Sequence, residues 1–212
     1  VTIAPDEESD ARYTALKMQD VTVTADLSSD SFGLTGAVTI SRLDYNLAEE
    51  DFDRLDWTQF DFDGDGTNEA LNPGAELPTP VDLTIDYPHE FVRRVTGRVT
   101  GNGDQPNGDP GTVFITSGDV SLAGTAEFAV TRYERDIEAM TDAQLDSYAF
   151  TVDGAQLLID EDIDLTLSGA LAVVTIAPDE ESDARYTALK MQDVTVTADL
   201  SSDSFGLTGA VT

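Results

Sequence analysis

The sequence contains no cysteine, one histidine, one tryptophan and two lysines, Lys17 and Lys190, in 212 residues. The lack of thiols removes disulfide frameworks, zinc–thiolate sites, iron–sulfur clusters and cysteine nucleophiles together. His89, the sole imidazole, lies in a polar connector with no nucleophile or acid patterned around it, so it reads as a surface histidine rather than a catalytic base. No Gly-x-Ser-x-Gly elbow, phosphate-binding Gly-rich loop or dinucleotide fingerprint occurs. A glycosidase would need a defined pair of carboxylates, and nothing singles out two of the 42. No catalytic residue is therefore assigned, and the sequence does not read as an enzyme. No run approaches the roughly 18 apolar residues of a membrane span, and no signal peptide is visible at the start, where Val1 reads as a point inside a longer chain.

Positive charge is scarce as well. Eleven basic side chains stand against 42 acidic ones, a formal net charge of −31. Such a field repels phosphate backbones and anionic lipid surfaces, which excludes nucleic acid and membrane insertion as partners and makes divalent cations the natural ones. Arg93, Arg94 and Arg98 form the one basic cluster, and ion pairing with an acidic neighbour suits them better than phosphate binding.

What the sequence does have is a repeat. Residues 174–212 reproduce residues 1–39 without a difference, a period of 173 residues. Without the duplicated stretch, 35 acids and 9 bases remain, so each period carries about −26. A unit of this size can bury a core without staples. The junction lies inside Leu165–Ile176, an unbroken strand pattern, so the boundary between units is better drawn at the Pro-led acidic segment Ala177–Asp183 and its copy Ala4–Asp10. This divides the chain into the end of one unit (1–3), a complete unit (4–177) and the start of another (178–212). The expected partner of each unit is a neighbouring copy, end to end and with the option of shared strands.

Period-two alternation dominates the complete unit. Phe32, Leu34, Val38 and Ile40 share a parity around Gly36; Val120, Leu122, Ala126, Phe128 and Val130 do so around Gly124; Leu165, Leu167, Leu171 and Val173 around Gly169; and Val95 and Val99 around Gly97. Glycine inside a strand marks a bulge, a bend or the close approach of another backbone. Each run follows another strand-like run, at Val21–Leu27, Val81–Tyr87, Val113–Ile115 and Tyr148–Val152, across a short polar connector. The expected fold is mainly β: an irregular antiparallel β-sandwich or rolled sheet of about four hairpins per unit. Short helices are expected near Asp6–Leu16, Leu47–Trp57 and Thr141–Tyr148.

One segment has the spacing of a metal loop. In Asp61-Phe62-Asp63-Gly64-Asp65-Gly66-Thr67-Asn68-Glu69, carboxylates recur at positions 1, 3 and 5, Gly66 permits a sharp turn, Thr67 can offer its carbonyl, and Glu69 closes the set at position 9. Calcium takes six to eight hard oxygen ligands, and alternate Asp on a tightly wound loop supplies several from few residues. The alternative is an acidic surface turn. The nine residues resemble the calcium loops of FG-GAP repeats and of dockerin modules, which implies calcium held by Asp61, Asp63, Asp65, Thr67 and Glu69 in a structural role. Two weaker candidates are the turn-rich loop with Asp104 and Asp109, and the acidic turn with Asp160 and Asp162; both also read as plain polar loops.

Long identical repeats, abundant Asp and Thr, no cysteine, β hairpins and an acidic loop together resemble the repeat region of giant bacterial extracellular adhesins and matrix fibres. That resemblance implies a secreted or cell-surface protein whose calcium-stabilised units act as spacer and cohesive element. A subunit of an extracellular filament assembled by strand addition is the alternative. A carbohydrate-binding domain is a third, but the aromatics, 8% of the chain, fall mostly at core-phase positions rather than on an open platform.

Overall fold

The computed structural model describes residues 1–4, 10–29, 32–49, 52–61, 65–101, 113–117, 120–138, 140–159, 163–178, 184–202 and 205–211. Ten strands account for most of them: β1 (Thr2–Ile3), β2 (Tyr13–Ser29), β3 (Phe32–Ala48), β4 (Phe91–Thr100), β5 (Val113–Ser117), β6 (Val120–Ile137), β7 (Met140–Ile159), β8 (Ile163–Ala177), β9 (Tyr186–Ser202) and β10 (Phe205–Val211). The protein is mainly β, as the alternation implies. All the strands join a single antiparallel sheet, in the order β1-β2-β3-β4-β6-β7-β8-β9-β10. The described strands form one continuous sheet, in which neighbours in sequence are, β5 apart, neighbours in space. β5 lies beyond the end of β4 in the same slot, pairing β3 through Gly33↔Thr116 and β6 through Ser117↔Val120, so β4 and β5 act as one interrupted strand.

Three of the four expected hairpins form: β2–β3, β5–β6 and β7–β8. The fourth does not. Val81–Tyr87 contributes only an isolated bridge, Leu71↔Ile85, because both sides of β4 are already taken by β3 and β6. The expected helices are also replaced. Thr141–Tyr148 lies within β7, which makes a long hairpin with β6; Tyr13–Leu16 begins β2, while residues 6–9 lie outside the described residues; and Leu47 and Ala48 end β3 with residues 52–56 irregular, residues 50 and 51 lying outside the described ones. What helical structure the described residues have is two single turns of 3-10 helix, Trp57–Gln59 and Pro73–Glu76. Thr141, the expected helix start, lies in β7, and Asp142 beside it takes φ 51° at the irregularity near the start of that strand.

The strand glycines behave as close-approach points. Gly124 has φ 125°, and a Cβ there would lie 2.8 Å from the Ala155 Cα; Gly169 has φ 142°, with the Val194 Cα at 2.7 Å. Both lie at register shifts, where one strand carries an extra residue and bends.

Between β3 and β4, the described residues of the stretch 49–90 form a strap that crosses one face of the sheet. Its Trp57, Ile85 and Tyr87 bury against Ala15 of β2 and Phe91 of β4, with Ile3, Tyr13, Leu55 and Tyr133 packed around them. Tyr87, Phe91 and Tyr133 form an aromatic row, with ring centroids 4.9 and 5.6 Å apart. This is the core of the described residues. The opposite face carries apolar rows that run strand to strand, such as Met18, Leu43, Val95, Val130, Tyr148, Val173 and Leu189 in register.

Candidate functional site

The strap is fastened to the sheet by buried polar groups. Asp44 and Asn46, on alternate positions of β3, both point under the strap and have no solvent exposure. The Trp57 indole N–H donates to Asn46 Oδ1 at 2.9 Å, and Asn46 Nδ2 donates to the carbonyls of Leu55 and Pro88. The Tyr87 hydroxyl is shared between Asp44 Oδ1, at 3.0 Å, and the Leu16 carbonyl, at 3.1 Å. Asp44 also pairs with the Arg42 guanidinium and has Arg94 at 3.9 Å. A buried carboxylate is stable only with such partners. Burial, followed by the Asp44 charge, pushes the Tyr87 phenol well above its ordinary value.

Nearer the edge, Lys17 Nζ donates to the Thr84 carbonyl at 2.7 Å and Gln19 to the Asp82 carbonyl at 3.2 Å, so β2 itself grips the strap. Arg54 bonds the His89 carbonyl and pairs with Glu134 of β6 at 2.5 Å. These last groups border a polar cleft of about 910 Å³ between the strap and the β6–β7 turn, lined by Tyr13, Asp56, Glu90 and Asp136 among others. The His89 side chain is 62% exposed, with the Glu90 carboxylate 3.7 Å away. Of the basic cluster, Arg94 faces Asp44 of its own unit and lies over the Phe91 ring.

The acidic loop grows out of the strap. Trp57 and Phe60 stack with centroids 6.0 Å apart, and the Glu69 N–H donates to the Phe60 carbonyl at 2.6 Å, pinning the two ends of the loop together. Within it the Gly66 N–H donates to Asp61 Oδ2 at 2.9 Å, and Thr67 N–H to Asp65 Oδ1 at 2.7 Å. Gly66 takes φ 88°, the left-handed turn its place in the motif requires. Asp61 and Asp65 thus turn into the loop, and Thr67 and Glu69 are exposed. Asp63 lies outside the described residues, as do Asp104, Asp109, Asp160 and Asp162. No group of three or more metal-ligating side chains is assembled among the described residues. The donors that are described, hard carboxylate and carbonyl oxygens on a wound loop, suit calcium by their chemistry.

The seam between repeats has a geometry of its own. β8 runs unbroken through the junction at residues 173 and 174. It pairs β9 with Thr175↔Thr187 and Ile176↔Tyr186; one period earlier, β1 pairs β2 with Thr2↔Thr14 and Ile3↔Tyr13. The next ladder matches too: Phe205↔Ser202 to Val211↔Val196 repeats Phe32↔Ser29 to Val38↔Val23. Even the bulge is kept, at Asp20 with φ 53° and at Asp193 with φ 51°. β1 thus takes, against β2, the place that Thr175 and Ile176 of β8 take against β9.

Sequence reasoning missed the strap and its network. The available signal was the polar pair Asp44 and Asn46, set in alternation with Leu43, Tyr45 and Leu47. No described helix is long and apolar enough to cross a membrane. Compared with known proteins, the chain matches no family model, no curated sequence and no solved structure.

Proposed function

We propose that the chain is a structural repeat module of an extracellular surface adhesin or fibre, in which successive units join by continuing one antiparallel sheet. The observation that carries this reading is the equality of register at β1–β2 and β8–β9. A strand that enters each unit in the same register as it leaves can be followed by the next unit without a linker. Function is then reach, stiffness and cohesion, and chemistry at a catalytic centre is not required. Strong negative charge keeps separate fibres apart, while calcium at Asp61, Asp63, Asp65, Thr67 and Glu69 stiffens the strap of each unit.

Thermal unfolding of chains carrying one, two and three periods tests it. Units that share a sheet stabilise one another through nearest-neighbour contacts, so Tm rises with each added copy and then levels off. An unchanged Tm across the series would mean independent domains and would overturn the proposal. Strand addition between separate chains is the second reading, favoured by the edge of β2 that the described residues leave unpaired beyond Ala15. A denaturing gel of the native assembly separates the two: one very long polypeptide, or a monomer of about one period.

A further inference from the structure

The two copies of the repeated segment have the same sequence, strands and register, yet their surroundings differ. Ala15 is 1% exposed, while Ala188, its equivalent, is exposed. Tyr13 is half-buried, whereas Tyr186 is 59% exposed; Leu16 is 40% exposed and Leu189 61%. Identical residues in identical backbone can differ this way only through what lies over them.

In the first copy two things cover them. Residues 42–48 of β3 pair Tyr13–Gln19 along one edge, and the strap packs Trp57, Ile85 and Tyr87 over the face carrying Tyr13 and Ala15. In the second copy, β10 pairs β9 only over Val196–Ser202, and Tyr186–Gln192 pair β8 alone among the described residues. Half of β9 therefore presents a free edge, the kind of edge that proteins otherwise block, and leaves Tyr186, Ala188, Lys190 and Gln192 exposed on the face that the strap covers in the first copy.

We infer that Tyr186–Gln192 are the seat of residues 40–91 of a following copy of the repeat, so that each seam is locked by the strap of the next unit; this rests on the repeat reading above. The occupant follows from the first copy, which shows the same seven residues already filled. The contacts transfer one for one: Ala188 under the next Trp57, Lys190 to the next Thr84 carbonyl, Gln192 to the next Asp82 carbonyl. A separate folded chain is a poor donor. Its residues 42–48 already pair its own β2, and opening that ladder loses what the new one gains. A copy continuous with β10 in one polypeptide has no such ladder to open, and it is the inferred occupant.

The absence of cysteine permits a direct test. Ala188→Cys is made in the 212-residue chain and in a chain extended after Thr212 by a second copy of residues 40–91, and thiol labelling rates are compared. The extended chain should label on the order of a hundredfold more slowly, approaching the rate of Ala15→Cys in the parent, as for a site reached only by local opening. Replacing the Trp57 equivalent in the added copy by Ala should restore fast labelling, and Lys190→Cys gives a second position should Ala188→Cys disturb folding. Equal labelling in the two chains at both positions overturns the inference. If Tm nevertheless rises with added periods, the continuous sheet stands and only the lock fails; if neither changes, both readings fail.

Discussion

Replacing Trp57 by Phe isolates the fastening of the strap. Trp57 is 1% exposed, and its indole N–H is the donor that satisfies Asn46 Oδ1, itself without solvent contact. Phe keeps a ring in the core but withdraws the donor, leaving a buried carbonyl unpaired at a cost of about 1–3 kcal/mol. The smaller ring forfeits roughly 1 kcal/mol more of burial and packing. The expected loss is therefore about 2–4 kcal/mol, against a total that for a domain of this size is only about 5–15 kcal/mol. Urea unfolding followed by circular dichroism gives the global value, and hydrogen exchange at the Trp57 N–H, which donates to the Tyr87 carbonyl at 2.8 Å, reports strap opening. An Asn46→Ala variant and the double mutant close the cycle; a coupling of about 1 kcal/mol or more is expected for a direct bond. If Trp57→Phe lies within about 0.5 kcal/mol of the parent, the size of an ordinary surface change, the network does not hold the strap and the reasoning is wrong.

Three further outcomes follow from the same contacts. Gly169→Ala should destabilise by about 2 kcal/mol or more, since φ is 142° and the new methyl would meet the Val194 Cα at 2.7 Å; an unchanged urea midpoint would show that the sheet yields there. The Tyr87 phenol is raised above its ordinary 10.0, so its stabilisation is complete below that pH and falls as pH climbs, by about 1.4 kcal/mol per unit. Tyr87→Phe should flatten that alkaline limb, and identical pH profiles would refute the assignment. Chelation should lower Tm and speed exchange across residues 58–72, because closely placed carboxylates repel without a divalent ion; Asp61→Asn together with Asp65→Asn should abolish the response to calcium, and a Tm indifferent to EDTA would remove calcium from the proposal.

The β hairpins were legible because alternation and short polar connectors are local signals. The phase of β2 was harder: the bulge at Asp20 shifts the apolar positions from Leu16 and Met18 to Val21 and Val23, and a reader following parity loses the strand's first third. Thr141 and Asp142 resemble a helix start in sequence, yet both lie in β7, where Asp142 accepts a left-handed conformation. Alternation says that a strand has an apolar face, and is silent about what covers it, so one sheet with a strap could not be told from two sheets. The acidic loop was found from spacing alone. The strap network was not, because Asn46, Trp57 and Tyr87 meet only after the chain has crossed the sheet.

Strand order that follows chain order has a mechanical meaning. Tension applied between the ends of such a chain acts across the strands, loading the hydrogen bonds at an edge one pair after another instead of a whole ladder at once. The sheet then yields by peeling at modest force. A 17-residue strand such as β2 occupies about 4.8 Å of sheet width while paired and about 60 Å once drawn out. Each strand is thus a small store of length, released in sequence and recoverable when the pull stops.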